Sequence, residues 1–214
     1  MHGVQETCCS GPVTVPGLRE RKKQDTRAAL AKATLELAVE HGLAAVTVEQ
    51  IAARAGVSYR TFFNYFSGKE EALLRPGGAD ATFGPRLRAQ DPALPPLEAA
   101  RRAMREQLSG LDADRAGWHQ RLAVVAAAPE ALPRVMELGS AGEREISVAI
   151  AERTGQDPDR DLYPALLAAT LGCAVRVSLG RWHALGGARS MADLFDDAVD
   201  VLAAGLRAPS PRPH

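Results

Sequence analysis

The stretch GVSYRTFFNYFSGKEEALL, residues 56–74, sets five aromatic rings (Tyr59, Phe62, Phe63, Tyr65 and Phe66) within eight positions, in a chain that is only 5% aromatic. Gly56 suits a tight turn, and Ser58 is a residue type whose hydroxyl caps helix starts. At about 100° per residue from Tyr59, Phe62 and Phe66 fall on one inward face. Arg60, Thr61, Asn64 and Tyr65 point the other way, with Tyr59 and Phe63 on the border. Upstream, Thr47-Val-Glu-Gln50 reads as a capping box that opens a short helix to about Arg54. Two short helices joined by a glycine-containing turn make a helix-turn-helix pattern. The small alanines of IAARA, with Ile51 and Leu37, leave room for the inward rings.

Working outward, residues 19–41 form one helix, in which Leu30, Thr34, Leu37, Ala38 and His41 recur at helical spacing until Gly42 stops it. Ser67-Gly-Lys-Glu70 predicts a second capping box and a fourth helix, ended by Pro76 and the following glycines. Residues 76–96, rich in Pro, Gly and small side chains, read as a linker or irregular connection. Helical patterns resume at 97–111, 114–127, 129–154, 158–185 and 190–206, and nothing alternates as a strand would. The expected fold is all-α: an N-terminal three-helix helix-turn-helix head, then a larger antiparallel helical body. Residues 1–17 and 208–214 read as flexible tails.

Composition narrows the function classes. A chain of 214 residues that is 46% hydrophobic and 24% charged can bury a sizeable core. No secretory leader opens it, and we find no run of about 18 apolar residues that would cross a bilayer, so we expect no membrane partner and a cytoplasmic location. Cys8, Cys9 and Cys173 make neither a disulfide framework nor a zinc spacing. Phosphate-loop, dinucleotide, serine-hydrolase and zinc-protease motifs are missing and the five histidines are scattered, so we expect no catalytic residues, no metal and no cofactor. Net charge is zero, but residues 18–75 hold ten basic against seven acidic side chains, which makes the head +3 and the remainder −3. A basic head on an acidic body favours a phosphate partner at one end.

The outward set on the aromatic segment suits DNA. Arginine can hold guanine O6 and N7, asparagine can pair with adenine, and a ring edge can meet a thymine methyl. Thr47, Thr61, Tyr65 and Lys69 offer hydroxyls or an ammonium to phosphate oxygens. The alternative that these residues leave open is a helical protein-interaction or sensor module without operator binding.

The segment TRAALAKATLELAVEHGLAAVTVEQIAARAGVSYRTFFNYFSGKEEAL resembles the amino-terminal domain of the tetracycline-repressor (TetR/AcrR) family over about fifty residues without a gap. The resemblance rests on an Ala/Leu-rich helix ending in G-x-x-x-x-T-V, then I-A-x-x-A-G-V-S, then T-F-F-x-Y-F, then KEEAL. It implies a dimeric bacterial repressor whose carboxy-terminal helices bind a small effector. Residues 18–75 are then the DNA-binding domain, and 97–207 the effector-binding and dimerisation domain. By the same resemblance Ser58, Tyr59, Arg60 and Phe63 approach bases, and Thr47, Thr61, Tyr65 and Lys69 contact the backbone. Val48 and Asn64 join this set, as does Arg27 at the end of the basic stretch RERKKQDTR, where some members extend a minor-groove arm. Tyr65 stands where the family often has His, and Phe63 where it often has Tyr. The body resembles a carboxy-terminal module of actinobacterial members. Its expected effector pocket is lined by Met104, Leu108, Trp118, His119, Leu122, Val125 and Met136, for an apolar or amphipathic molecule. The expected homodimer interface uses Leu167, Leu171, Gly172, Val175 and Leu179, with Leu194, Ala198 and Val201 of the last helix.

Overall fold

The computed structural model describes residues 18–77 and 83–206. The two predicted tails, including Cys8 and Cys9, lie outside the described residues. Among the described residues, ten α-helices and two short 3₁₀ turns make up the architecture and no strand occurs. The head comprises α1 (Leu18–His41), α2 (Val48–Arg54), α3 (Tyr59–Phe63) and α4 (Lys69–Leu74). The body comprises α5 (Phe83–Ala89), α6 (Pro96–Ala113), α7 (Arg115–Ala126), α8 (Leu132–Thr154), α9 (Leu162–Ala184) and α10 (Met191–Ala203).

The local signals that start the head helices work as expected. The Thr47 hydroxyl accepts from the Gln50 N–H while the Thr47 N–H donates to the Gln50 side chain, which closes the box at α2. Gly56 turns the chain at φ 70°, a conformation a side chain would strain, and Ser58 caps α3 by accepting from the Thr61 N–H. The second box differs from expectation. Gly68 is the N-cap of α4 and has no capping side chain, while the Ser67 N–H and hydroxyl both donate to Glu71 rather than Glu70. Another correction concerns residues 76–96, where Phe83 and Leu87, one turn apart, bury themselves in the body core and wind α5 inside the expected linker.

Three packed clusters follow from this layout. Phe62 and Phe66 close the head core with Leu30, Leu37, Val46 and Ile51. Trp182, Phe195, Met104 and Leu108 lie in the body core. Between them a small cluster joins Leu35, Ala38, Leu43 and Leu73 of the head to Ala128 and Ala131 of the body. Helix α9 packs on α8 and on α10. By length and composition it is apolar enough to cross a bilayer, which corrects the expectation of no such run. One side of it packs into the body core, where Leu167, Leu171, Ala174, Ser178 and Trp182 are buried.

Candidate nucleic-acid interface and effector cleft

The recognition surface begins with what α3 keeps inside. Phe62 is fully buried, and its ring meets Phe66 at 5.8 Å and Phe63 edge-on at 5.4 Å. That anchor leaves Tyr59 51% exposed and Phe63 47% exposed, paired edge to face at 5.0 Å. Arg60 and Asn64 are exposed beside them, and Arg60 makes no hydrogen bond or ion pair among the described residues. Thr47 and Ser58 stand exposed at the two helix starts, Ser58 sharing its hydroxyl with Thr61 at 2.7 Å. Val48 is half-buried against the head core. Tyr65 is half-buried and packs on the same core, so its outward placement is corrected. Because α3 ends at Phe63, a helical wheel does not extend to Tyr65.

Two cations expected at the DNA, Lys69 at a phosphate and Arg27 beside the proposed arm, are instead turned inward. The Lys69 ammonium donates to the carbonyls of Leu43 at 2.7 Å, Val46 at 2.9 Å and Ala44 at 3.3 Å, so its three donors are engaged. The Arg27 guanidinium donates to the carbonyls of Tyr65, Gly77 and Arg75, and lies 4.0 Å over the Phe66 ring. Burial lowers its pKa, opposed by Glu71. Both side chains hold the head together, because the chain returns orphan carbonyls of helix ends and turns to within their reach.

In the body, a cleft of about 300 Å³ opens between α7, α8 and α9. Leu122, Val125 and Ala126 of α7, Pro129, Leu132, and Leu179, Gly180 and His183 of α9 line it. Of the expected pocket residues, Leu122 and Val125 are on its wall. His119 stands behind, its Nδ1 3.3 Å from His183 Nδ1 and its ring stacked on Trp182 at 4.3 Å. Met104 and Leu108 are packed in the core, with Trp118 against it, and Met136 is 71% exposed, so these four do not line the cleft. His183, Leu132 and Gly180 were missed because they come from helices whose facing sides only the tertiary packing decides.

The expected interface stripe is likewise corrected. Leu167, Leu171 and Leu194 are buried in the body's own core, Val175, Leu179 and Ala198 are half-buried against it, and Glu143 covers Gly172. Only Val201 of that set is exposed. The outward apolar face of α9 is rotated from the predicted stripe and presents Leu162, Leu166, Cys173 and Val177.

The head reaches the body through α1, which packs on α7, and through the segment around α4. Buried Arg121 of α7 donates to the Leu73 carbonyl at 3.1 Å, Arg134 of α8 donates to the Ser67 hydroxyl at 2.5 Å, and Arg75 pairs with Glu145 at 3.5 Å. Val125 both lines the cleft and packs on the cluster that contains Leu73.

Comparison with known proteins finds matches to both the head and the body. Residues 30–75 match the model of bacterial regulatory proteins of the tetR family, and residues 94–207 match that of the MftR C-terminal domain. The HTH-type transcriptional regulator TcmR of Streptomyces glaucescens is 32% identical over 209 residues, 92% of each chain. Two solved structures share the fold at a TM-score of 0.51. One is the fatty acid degradation regulator FadR of Bacillus halodurans, 19% identical over 86% of this chain and 97% of that one. The other is SmeT bound to triclosan, 22% identical over 88% and 98%. SmeT is the repressor of a multidrug efflux pump of Stenotrophomonas maltophilia.

Proposed function

This chain belongs to the tetR family of bacterial regulatory proteins and is a ligand-responsive DNA-binding transcriptional regulator, and we propose that it acts as a cytoplasmic homodimeric repressor released from a palindromic operator by a small apolar effector. The observation that carries the reading is the exposed quartet of Tyr59, Arg60, Phe63 and Asn64 on a helix whose opposite side, at Phe62, is fully buried. A rigid anchor with free donors outside is what base reading requires, because donors already spent within the fold cannot discriminate bases. Ser58, exposed at the start of α3, stands with the quartet towards the bases, and Thr47, exposed at the start of α2, supplies a backbone contact.

Pairing through the exposed face of α9 (Leu166, Cys173, Val177), with Val201 of α10, covers the apolar surface that one copy leaves open. The apolar cleft is the effector site. Its α7 wall meets the head, where Val125 packs on the cluster that holds Leu35, Ala38 and Leu73 and the neighbouring Arg121 donates to the Leu73 carbonyl, so a ligand that prefers one spacing of α7 and the head biases the head. That SmeT was solved with triclosan is consistent with an apolar effector.

Selection of bound duplexes from a random pool tests the reading. The expected product is a pseudo-palindrome with half-sites about one helical turn or somewhat more apart, bound by a species of two chains in light scattering. Enrichment of no sequence above background, or specific binding by a single chain, sinks it.

A further inference from the structure

We infer that the cleft selects apolar ligands carrying a neutral carbonyl-type acceptor, which His183 reads through an Nε2 proton that His119 holds in place. The inference rests on the reading of the cleft as the effector site. Seven of its eight lining residues are apolar or glycine, and His183 alone brings a polar side chain to the wall.

The two Nδ1 atoms, 3.3 Å apart, can share a hydrogen bond only if one carries the proton and the other offers a lone pair. The second nitrogen of His119 decides which. His119 Nε2 is buried with no hydrogen-bond partner, pressed towards the turn at Gly187, where an added Cβ would lie 3.0 Å away. A buried N–H without an acceptor is rarer and costlier than an unmet lone pair. His119 therefore carries its proton on Nδ1 and donates to His183. His183, with Nδ1 accepting, carries its own proton on Nε2, which has no partner among the described residues. An apolar wall with one outstanding N–H selects for a ligand oxygen. No lining side chain is cationic, so the acceptor that fits is a neutral carbonyl rather than a carboxylate.

The probes are fluorene, 9-fluorenone and fluorene-9-carboxylate, rigid molecules of one shape that differ in the group offered, titrated into the full chain by calorimetry. Fluorenone is expected to bind on the order of tenfold more tightly than fluorene, and more tightly than the carboxylate. In His183→Phe, the ratio of fluorenone to fluorene affinity should fall to about one, whatever change in binding the two probes share. Equal binding of fluorene and fluorenone to the native chain, tighter binding of the carboxylate, or a preference that survives His183→Phe overturns the inference while leaving the cleft as a ligand site. Binding of none of the three overturns the cleft reading along with it. Long-range proton–nitrogen correlation spectra of the native chain at about pH 8, where histidine is ordinarily neutral, check the tautomers without any variant. Protons on His119 Nδ1 and His183 Nε2 are expected, and a proton on His119 Nε2 overturns the assignment.

Discussion

The head and the body treat their buried polar groups in opposite ways. In the head, Arg27 and Lys69 each spend their donors on three carbonyls, the Thr34 hydroxyl donates back to the Leu30 carbonyl, and Ser58 and Thr47 close their caps. In the body, Arg86, Gln107, His119, Arg121, Ser147 and Trp182 each bury a side-chain nitrogen or oxygen without a partner, and no described head residue does so. Buried polar atoms are nearly always paired in native proteins, so a cluster of exceptions calls for a physical explanation. A reader of DNA must hold one shape, which a satisfied interior enforces. The switch proposed for the body needs two arrangements close in free energy, a requirement that a less fully satisfied interior suits. His119 and Trp182 stand beside the cleft, and Arg121 stands between it and α4.

The largest effect that would test this comparison lies in the head core. Phe62→Ala removes the fully buried ring on which Phe63 and Phe66 pack, and should cost about 3–5 kcal/mol in denaturant titration. A loss below about 1 kcal/mol means that the head is not the tightly determined unit described. On the surface, Arg60→Ala should leave stability unchanged, yet weaken the selected operator by about 1–3 kcal/mol and relax preference at one base pair. Equal weakening on cognate and scrambled duplexes would make Arg60 a phosphate contact instead.

Lys69 separates surface reading from internal support. If its ammonium met a phosphate, Lys69→Met would lower the salt dependence of DNA binding by roughly one per subunit. With that ammonium on Leu43, Ala44 and Val46, the variant should instead lose about 1–2 kcal/mol of stability and keep the salt slope. Glu71 extends the same logic to pH. Burial raises the pKa of its carboxyl, but the two Ser67 donors, with Arg27 and Arg75, outweigh this and leave it below its ordinary value of 4.5. A depressed folded-state pKa gives stability that is fully present above the unfolded value and is lost as pH falls through the folded one. Head stability should therefore decline in acid below about pH 4.5, and Glu71→Gln should be less stable at neutral pH by about 1 kcal/mol, with a flatter acid limb. An unchanged acid limb in that variant would remove Glu71 from the account.

What could be read from the sequence follows the distance over which each feature is decided. The cap box at Thr47, the Ser58 cap, the Gly56 turn and the inward Phe62 depend on neighbours three or four positions away and came out as expected, whereas the box expected between Ser67 and Glu70 is closed by Glu71 instead. The roles of Lys69 and Arg27 depend on carbonyls 23 to 50 positions off, which composition does not reveal. Helix α9 is apolar almost all round, so its core side had no distinguishing phase, and the interface stripe was assigned to Leu167 and Leu171, which face inward. In the expected linker, the four-residue spacing of Phe83 and Leu87 was the available sign of α5, masked by the Pro and Gly around it.

The smallest expected effect is the most informative about the body. Arg121 is 6% exposed, donates one hydrogen bond to the Leu73 carbonyl, leaves its Nε unpaired, and has no carboxylate within ion-pair distance among the described residues. Its guanidinium lies 5.7 Å from the Trp118 ring centre, and burial lowers its pKa, countered by the more distant Asp114. An interior charge with so few partners costs desolvation that its contacts do not fully offset. Arg121→Met keeps the buried stem, removes the charge and leaves the Leu73 carbonyl one donor short, a loss of about 1 kcal/mol set against the relief of the charge. The two nearly cancel, so the variant should match the native chain to within about 1 kcal/mol in denaturant titration, where Phe62→Ala loses several. A loss of about 3 kcal/mol or more would mean that Arg121 is as well satisfied as Lys69 and Arg27, and the contrast between a finished head and an unfinished body would fail at the residue that joins them.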